Sequence, residues 1–314
     1  MSITGPTDEL RAAAAEVARR ARSVRIEETA VGHYARTLDL TALRLDPDAD
    51  EAPAAGDAAT RRERARYWLT LDAINFGSGW FPTLRKPSGR SGYGTISRAW
   101  QAHCASRGTP DAAALAAIEP PAIAEILSQD PDHELMELFA LSLRDLGERL
   151  LTECGGDVLC LIDGAGGSAV ALAARLGGWP CFADRSRYEE LSVPFLKRAQ
   201  IAAADLERAG VAGWRDIARL TMFADNLVPH VLRLDGVLRF DPGLVERIER
   251  GELIEHGSPE EVEIRACAVH AIELIIAARA DGVTAAELDQ LLWHRGQDPS
   301  YKARPRHRSR CTAY

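Results

Sequence analysis

Apolar residues return every three to four positions through most of this 314-residue chain. That period suits helices with one buried stripe and leaves little room for a sheet. Helical runs are predicted over 8–23, 61–76, 91–106, from Pro120-Pro121 onward, 133–154, 193–209, 226–234, 242–251, 259–280 and 284–294. Extended signals are few and short, at 158–162, 181–184 and 237–240. No internal repeat or long linker divides the chain, so the expected fold is all-α: mainly helical, with a few short strands. It is read as a single compact domain over 1–314, with room for two lobes. Residues 1–6 and 46–60, the latter acidic and carrying proline and glycine, are expected as loop or mobile segments.

Composition narrows the function classes. The formal charge of −8 argues against a broad nucleic-acid surface, which needs many cations facing phosphates. Six scattered cysteines without a CxxC spacing read as reduced thiols, neither a disulfide framework nor a zinc site. No apolar stretch is long enough to span a membrane, and Asp8 and Glu9 interrupt any leader, so a cytoplasmic protein with no membrane partner is expected. Arginine outnumbers lysine 35 to 3, a bias that makes the retained lysines Lys86, Lys197 and Lys302 informative. Lys197 lies in an amphipathic run, where it is either a solvated helix lysine or a site wanting a compact ammonium.

Five segments carry possible chemistry. Gly164-Ala165-Gly166-Gly167 imitates a dinucleotide loop, but the third glycine is missing from its slot and no βαβ series follows, so a loop between helices is expected. Asp225 follows the apolar run Leu220–Ala224 and precedes a short helix. It is either an N-cap or a carboxylate beside the Phe223 ring, where its charge would stabilise a developing cation. Glu261, Glu263, Arg265 and Glu273 line a helix whose other face is apolar, with Arg265 in i,i+4 reach of Glu261. Asp289 and Trp293 share a helix face, and His294 follows them. Finally, 297–314 is a basic tail with Lys302, Arg304, Arg306, Arg308 and Arg310 at alternate positions. It is either a disordered arm or a strand-like clamp for an anion, folded back. With five of the 38 basic residues and no acid in 301–314, the remainder carries 33 against 46 acids. No HExxH, GxSxG or Walker loop is present, so no metal is expected. Residues alone reach as far as a helical, cytosolic protein acting on a small anion.

Eight segments in order nevertheless resemble the queuosine salvage protein family. They are LDAINF (71–76), SGY (91–93), the F-x-D-x-x-x-Y-E run of 182–189, FLKRAQI (195–201), TMFADNLVPHVL (221–232), EVEIRACAVHAIEL (261–274), LDQLLW (288–293) and PRHRSRCTAY (305–314). The resemblance implies a queuosine 5′-phosphate N-glycosylase/hydrolase. Its substrate would be queuosine 5′-monophosphate and its product queuine, a 7-deazaguanine salvaged into tRNA. No cofactor and no stable nucleic-acid partner would be needed. It also implies a helical architecture like that of DNA glycosylases, with a central cleft. Glycosidic cleavage builds positive charge on the ribose, and by resemblance Asp225 is the catalytic carboxylate. Phe223 would stack on the base, Asp289 would accept from its N1–H and amino group, and Gln290 follows. Lys197 and the tail's His307, Arg308 and Arg310 are the candidates for the 5′-phosphate. Asp72, Asp184 and Glu263 match family positions and read first as structural hydrogen-bonders. Two departures stand out: His294 replaces an expected acid that would pair with queuine's cationic amine, and Trp80 is displaced by one from the family's N-F-x-x-W spacing. The competing readings are a non-catalytic tRNA- or nucleotide-binding protein using the tail, and a DNA-glycosylase-like base-excision enzyme.

Overall fold

The computed structural model describes residues 5–41 and 57–314. In chain order the first elements are α1 (Pro6–Arg20), β1 (Val24–Ile26), α2 (Glu28–Thr37), α3 (Ala58–Ala73), α4 (Gly92–Arg107), α5 (Ala112–Ala116) and α6 (Pro120–Leu127). There follow α7 (Glu134–Cys154), α8 (Val158–Gly164), α9 (Ala169–Leu176), β2 (Ser186–Tyr188), β3 (Leu191–Val193) and α10 (Lys197–Arg208). The chain ends with α11 (Val228–Leu234), β4 (Leu238–Phe240), α12 (Pro242–Glu249), α13 (Pro259–Arg279), α14 (Ala285–Arg295) and α15 (Pro299–Lys302). The fold is mainly helical, as the periodicity predicts, and the strands form two short antiparallel pairs, β1–β4 and β2–β3. The loop expected at 1–6 and 46–60 lies largely outside the described residues. Of its described part, Pro6 opens α1 and residues 58–60 belong to α3, capped by Asp57, whose Oδ1 accepts the Thr60 amide at 3.0 Å.

Two of the expected strands are helical instead. The apolar run 158–162 is the core of α8: the Asp157 carboxylate accepts the Leu159 amide at 3.1 Å, and residues 158, 159, 161 and 162 turn inward at helical spacing. A short apolar run has no period long enough to choose, and the cap decides it. At 181–184 Pro180 starts a 3-10 turn closed by the Ala183 amide on the Pro180 carbonyl, at 3.2 Å. The third strand signal, at 237–240, is β4.

The described residues fall into two compact units. The first takes 5–41, 184–197 and 218–310 and is built round α13. Ser258 caps that helix, accepting the Glu261 amide at 3.3 Å, and Pro259 presets its first turn. Every residue from Glu261 to Val269 is buried, because α1, α2, α11, α14 and β1 pack against it. α13 therefore has no solvated face over these turns, and of the charges expected along one side Glu261, Glu263 and Arg265 are inside while Glu273 is half-buried. The second unit takes 57–183, 198–217 and 311–314 and packs α3, α5, α6 and α8 against α7. Its glycine-rich segment is the loop between α8 and α9 that the sequence predicts. Gly166 and Gly167 take positive φ values of 60° and 75° there, which their lack of a Cβ permits. The start of α9 is filled from within: Asp216 accepts the Ser168 hydroxyl at 2.6 Å and the Ala169 amide at 2.7 Å.

Among the described residues no helix is long and apolar enough to cross a membrane.

Candidate active site

The site is built on 221–227, a segment without regular secondary structure that runs through the first unit's core. Thr221, Met222 and Ala224 are fully buried and Phe223 nearly so. Backbone groups in such a place need partners, and two side chains supply them. The Phe223 amide donates to Asp289 Oδ1 at 3.0 Å, and the Ala224 carbonyl accepts from Arg265 Nε at 2.9 Å. Fixed on both sides, the chain bends at Asp225 and enters α11. Asp225 Oδ1 accepts the Leu227 and Val228 amides at 2.7 and 3.2 Å. Asp225 is not the N-cap, which is Leu227; its Oδ1 closes the turn that leads into α11, which orients the carboxylate, and Oδ2 lies outside that pair of bonds.

Arg265 is the keystone beneath this segment. It is wholly buried, with Nη2 at 2.6 Å from Asp184 Oδ2, Nη1 at 3.5 Å from Glu261 Oε1, and its guanidinium 3.8 Å over the Phe195 ring. Burial raises the Glu261 carboxyl, but Arg265 and His256 together hold it down at about 2. Asp184 Oδ2 also accepts the Lys197 amide at 2.9 Å, and the Asp184 carbonyl accepts the Leu196 amide at 3.0 Å. These bonds hold Leu196 at φ 50°, a left-handed conformation costly for a branched residue. They set the start of α10, so that Lys197 is buried instead of being a solvated helix lysine. Glu263 has a separate structural task. Its Oε2 accepts the amides of Arg22, Ser23 and Val24 at 3.0, 2.6 and 3.1 Å, and its Oε1 accepts the Tyr188 hydroxyl at 2.8 Å.

Electrostatics join four of the expected residues. Burial, then the charge of Asp225, pushes the Asp289 carboxyl well up, against the Phe223 amide and the Lys197 ammonium, which favour its ionised form. Phe223, Asp225, Asp289 and Lys197 therefore share one environment. Gln290 follows Asp289 on α14, half-buried, and His294 lies near the helix end with its ring edge-on to Trp293 at 5.2 Å. Among the described residues no group of His, Cys, Asp and Glu converges as metal ligands would.

The tail contributes through its backbone as much as its charges. The carbonyls of Pro305, His307 and Arg308 accept from Arg233 Nη2 at 3.2 Å, Asn226 Nδ2 at 3.0 Å and the Ile254 amide at 2.9 Å. Burial alternates at His307, Ser309, Cys311 and Ala313, as an extended chain requires. His307 is enclosed, and burial pushes its imidazole down to about 3, so at neutral pH it offers hydrogen bonds and no charge to an anion. Arg308 is half-buried and Arg310 exposed. Three further residues lie round this segment that the sequence does not single out. Arg265 looked like a surface ion-pair partner, Asn226 like helix, and Arg306 like one more tail cation, although Asp225 is the acid acting on it. The alternation of arginines in the tail was the signal available for Arg306.

Fold and site together define a mainly helical protein that holds a pair of carboxylates, an aromatic ring and cations around one buried irregular segment. The chain belongs to the queuosine salvage protein family, whose profile matches residues 56–314. It is 36% identical over 267 residues to a queuosine 5′-phosphate N-glycosylase/hydrolase of Sphaerobacter thermophilus, an alignment covering 81% of this chain and 82% of that one. A protein of the same description from Mus musculus is 32% identical over 197 residues, covering 57% and 58% of the two chains. One from Dictyostelium discoideum is 35% identical over 176 residues, covering 53% and 54%.

Proposed function

We propose that this chain hydrolyses the N-glycosidic bond of queuosine 5′-monophosphate and releases queuine. The observation that carries the reading is Asp225: a carboxylate oriented through one oxygen, in a family member whose relatives bear that enzymatic name. As the bond from C1′ to the base breaks, its electron pair leaves with the base and the ribose becomes cationic. Asp225 stabilises that cation, where a preorganised charge in a water-poor site is worth most. Water supplies the oxygen added at C1′, and its proton balances the departing base. A 7-deaza base lacks the N7 lone pair that protonation would use, so its developing negative charge has to be met by hydrogen-bond donors to the rest of the ring, and the contacts that accept from it serve to hold the ring in place. Asp289 accepts from the guanine-like N1–H and amino group, Gln290 adds a further polar contact, and Phe223 stacks on the ring. Lys197 and the tail cations Arg308 and Arg310 face the phosphate, with His307 as an uncharged hydrogen-bonding neighbour.

The test is release of free queuine from queuosine 5′-monophosphate, followed by mass spectrometry, with Asp225→Asn alongside. Asparagine keeps the side-chain oxygen that accepts the Leu227 and Val228 amides and removes the charge. The expected loss is about 10²-fold or more, as for the removal of a preorganised electrostatic group. Absence of release by the wild type sinks the function, and undiminished release by the variant sinks the role of Asp225.

A further inference from the structure

Arg306 is anchored more firmly than its place in a basic tail suggests. The bond from Asn226 to the His307 carbonyl, 3.0 Å long, joins the residue after Asp225 to the residue after Arg306. The carbonyls of Pro305 and Arg308 are fixed as well, so the backbone on both sides of Arg306 is held against the segment that carries Asp225. The residue is half-buried, and its Nε is enclosed without a hydrogen-bond partner. A cation taken from water in this way needs an opposite charge. Asp225 attracts it, whereas Arg308 repels it. Asp225 in turn has a second carboxylate near it, Asp289, whose own cation is Lys197. Two acids crowded together each require a positive neighbour if both are to serve as charges. Lys197 acts on Asp289, and Arg306 is held beside the segment that carries Asp225.

We propose that Arg306 is a positioning residue, supplying the counter-charge that orients the Asp225 carboxylate for glycosidic cleavage. The inference rests on the function proposed above. It separates Arg306 from the phosphate-facing cations, because a residue acting through Asp225 matters equally whether or not the substrate carries a phosphate.

The experiment measures kcat and KM for wild type, Arg306→Gln and Arg306→Lys on queuosine 5′-monophosphate and on the nucleoside queuosine. The expected result for Arg306→Gln is a kcat lowered by about tenfold or more, equivalent to about 1.4 kcal/mol. KM should stay nearly constant, the factor should be the same on both substrates, and lysine should restore most of the loss. In an Asp225→Asn background the effect of Arg306→Gln should vanish, since a residue that acts through another is not additive with it. If the glutamine variant fails to fold, the lysine variant is read in the same cycle, with a smaller loss that again disappears in the Asp225→Asn background. A loss confined to KM and to the phosphorylated substrate would make Arg306 a phosphate ligand and overturn the proposal, as would an unchanged kcat. A wild type that releases base from neither substrate removes the function itself, and the role of Arg306 falls with it.

Discussion

A single arginine shows how far a residue's surroundings outrun its sequence context. Arg265 stands four residues after Glu261, and that spacing correctly gives the ion pair. Spacing says nothing of Asp184, 81 positions away, or of the Ala224 carbonyl next to Asp225. Replacing Arg265 by methionine leaves Asp184 and Glu261 as buried acids without their cation, at a cost of about 3–5 kcal/mol. A large fall in melting temperature in Arg265→Met is expected, and a melting point equal to wild type would contradict the account. Asp289 permits a second test at this scale. Its carboxyl is displaced upward by burial and by Asp225, while a base offering two N–H donors favours the ionised form. Queuine affinity should therefore rise with pH as Asp289 loses its proton in the free protein, and Asp289→Asn should flatten that dependence. Calorimetric titration at several pH values checks both.

Elements were legible wherever they were long and periodic. The run expected at 133–154 is α7, that at 259–280 is α13, and each begins at a polar cap with its own hydrogen bond. Short elements were not, because five apolar residues suit a strand or a helical turn equally and tertiary packing chooses. The same packing gives some glycines a task that no turn motif announces. Gly147 lies mid-helix in α7, where a Cβ would sit 2.4 Å from the Ala116 amide nitrogen and 2.6 Å from the Ala112 carbonyl oxygen. α5 can approach α7 that closely only because the side chain is missing. In an ordinary exposed helix glycine to alanine is stabilising by about 1 kcal/mol. Here Gly147→Ala should destabilise by about 1–3 kcal/mol, since backbone has to move. Denaturant unfolding measures the sign, and a stabilised variant would refute the close packing.

Across the whole molecule, charge is distributed in a way the totals conceal. The net −8 is an acidic body with a cationic terminus, and the terminus gives its carbonyls to the fold at Pro305, His307 and Arg308. A tail held like that is poorly suited to act as a free arm on a polymer, the alternative its arginines first suggested. Two histidines buried with it make stability depend on pH. Burial lowers His307 to about 3 and His230, whose Nε2 contacts the Tyr301 carbonyl, to about 4. Both lie below their unfolded value, so the folded state excludes protons that the unfolded chain accepts. Their contribution is present above about pH 6.5 and is lost as pH falls toward 4 for His230 and 3 for His307, by about 1.4 kcal/mol per unit of displacement for each. Thermal melts between pH 7.5 and pH 5 should show falling stability, with a shallower slope in His230→Gln. Equal slopes would sink the assignment.

The sequence by itself determined the helical class, the long elements, the loop between α8 and α9, and the set of residues that bear charge beside Phe223. These are local matters, because periodicity, caps and glycine conformations act within a few residues. Only the tertiary structure decided that Glu261, Glu263 and Arg265 of α13 lie inside, that Lys197 is buried, that burial lowers the His307 imidazole, and that the backbone round Arg306 is fastened beside Asp225. Charge state and partner choice depend on what surrounds a group in space, and in the first unit those surroundings come from segments up to about 260 residues apart.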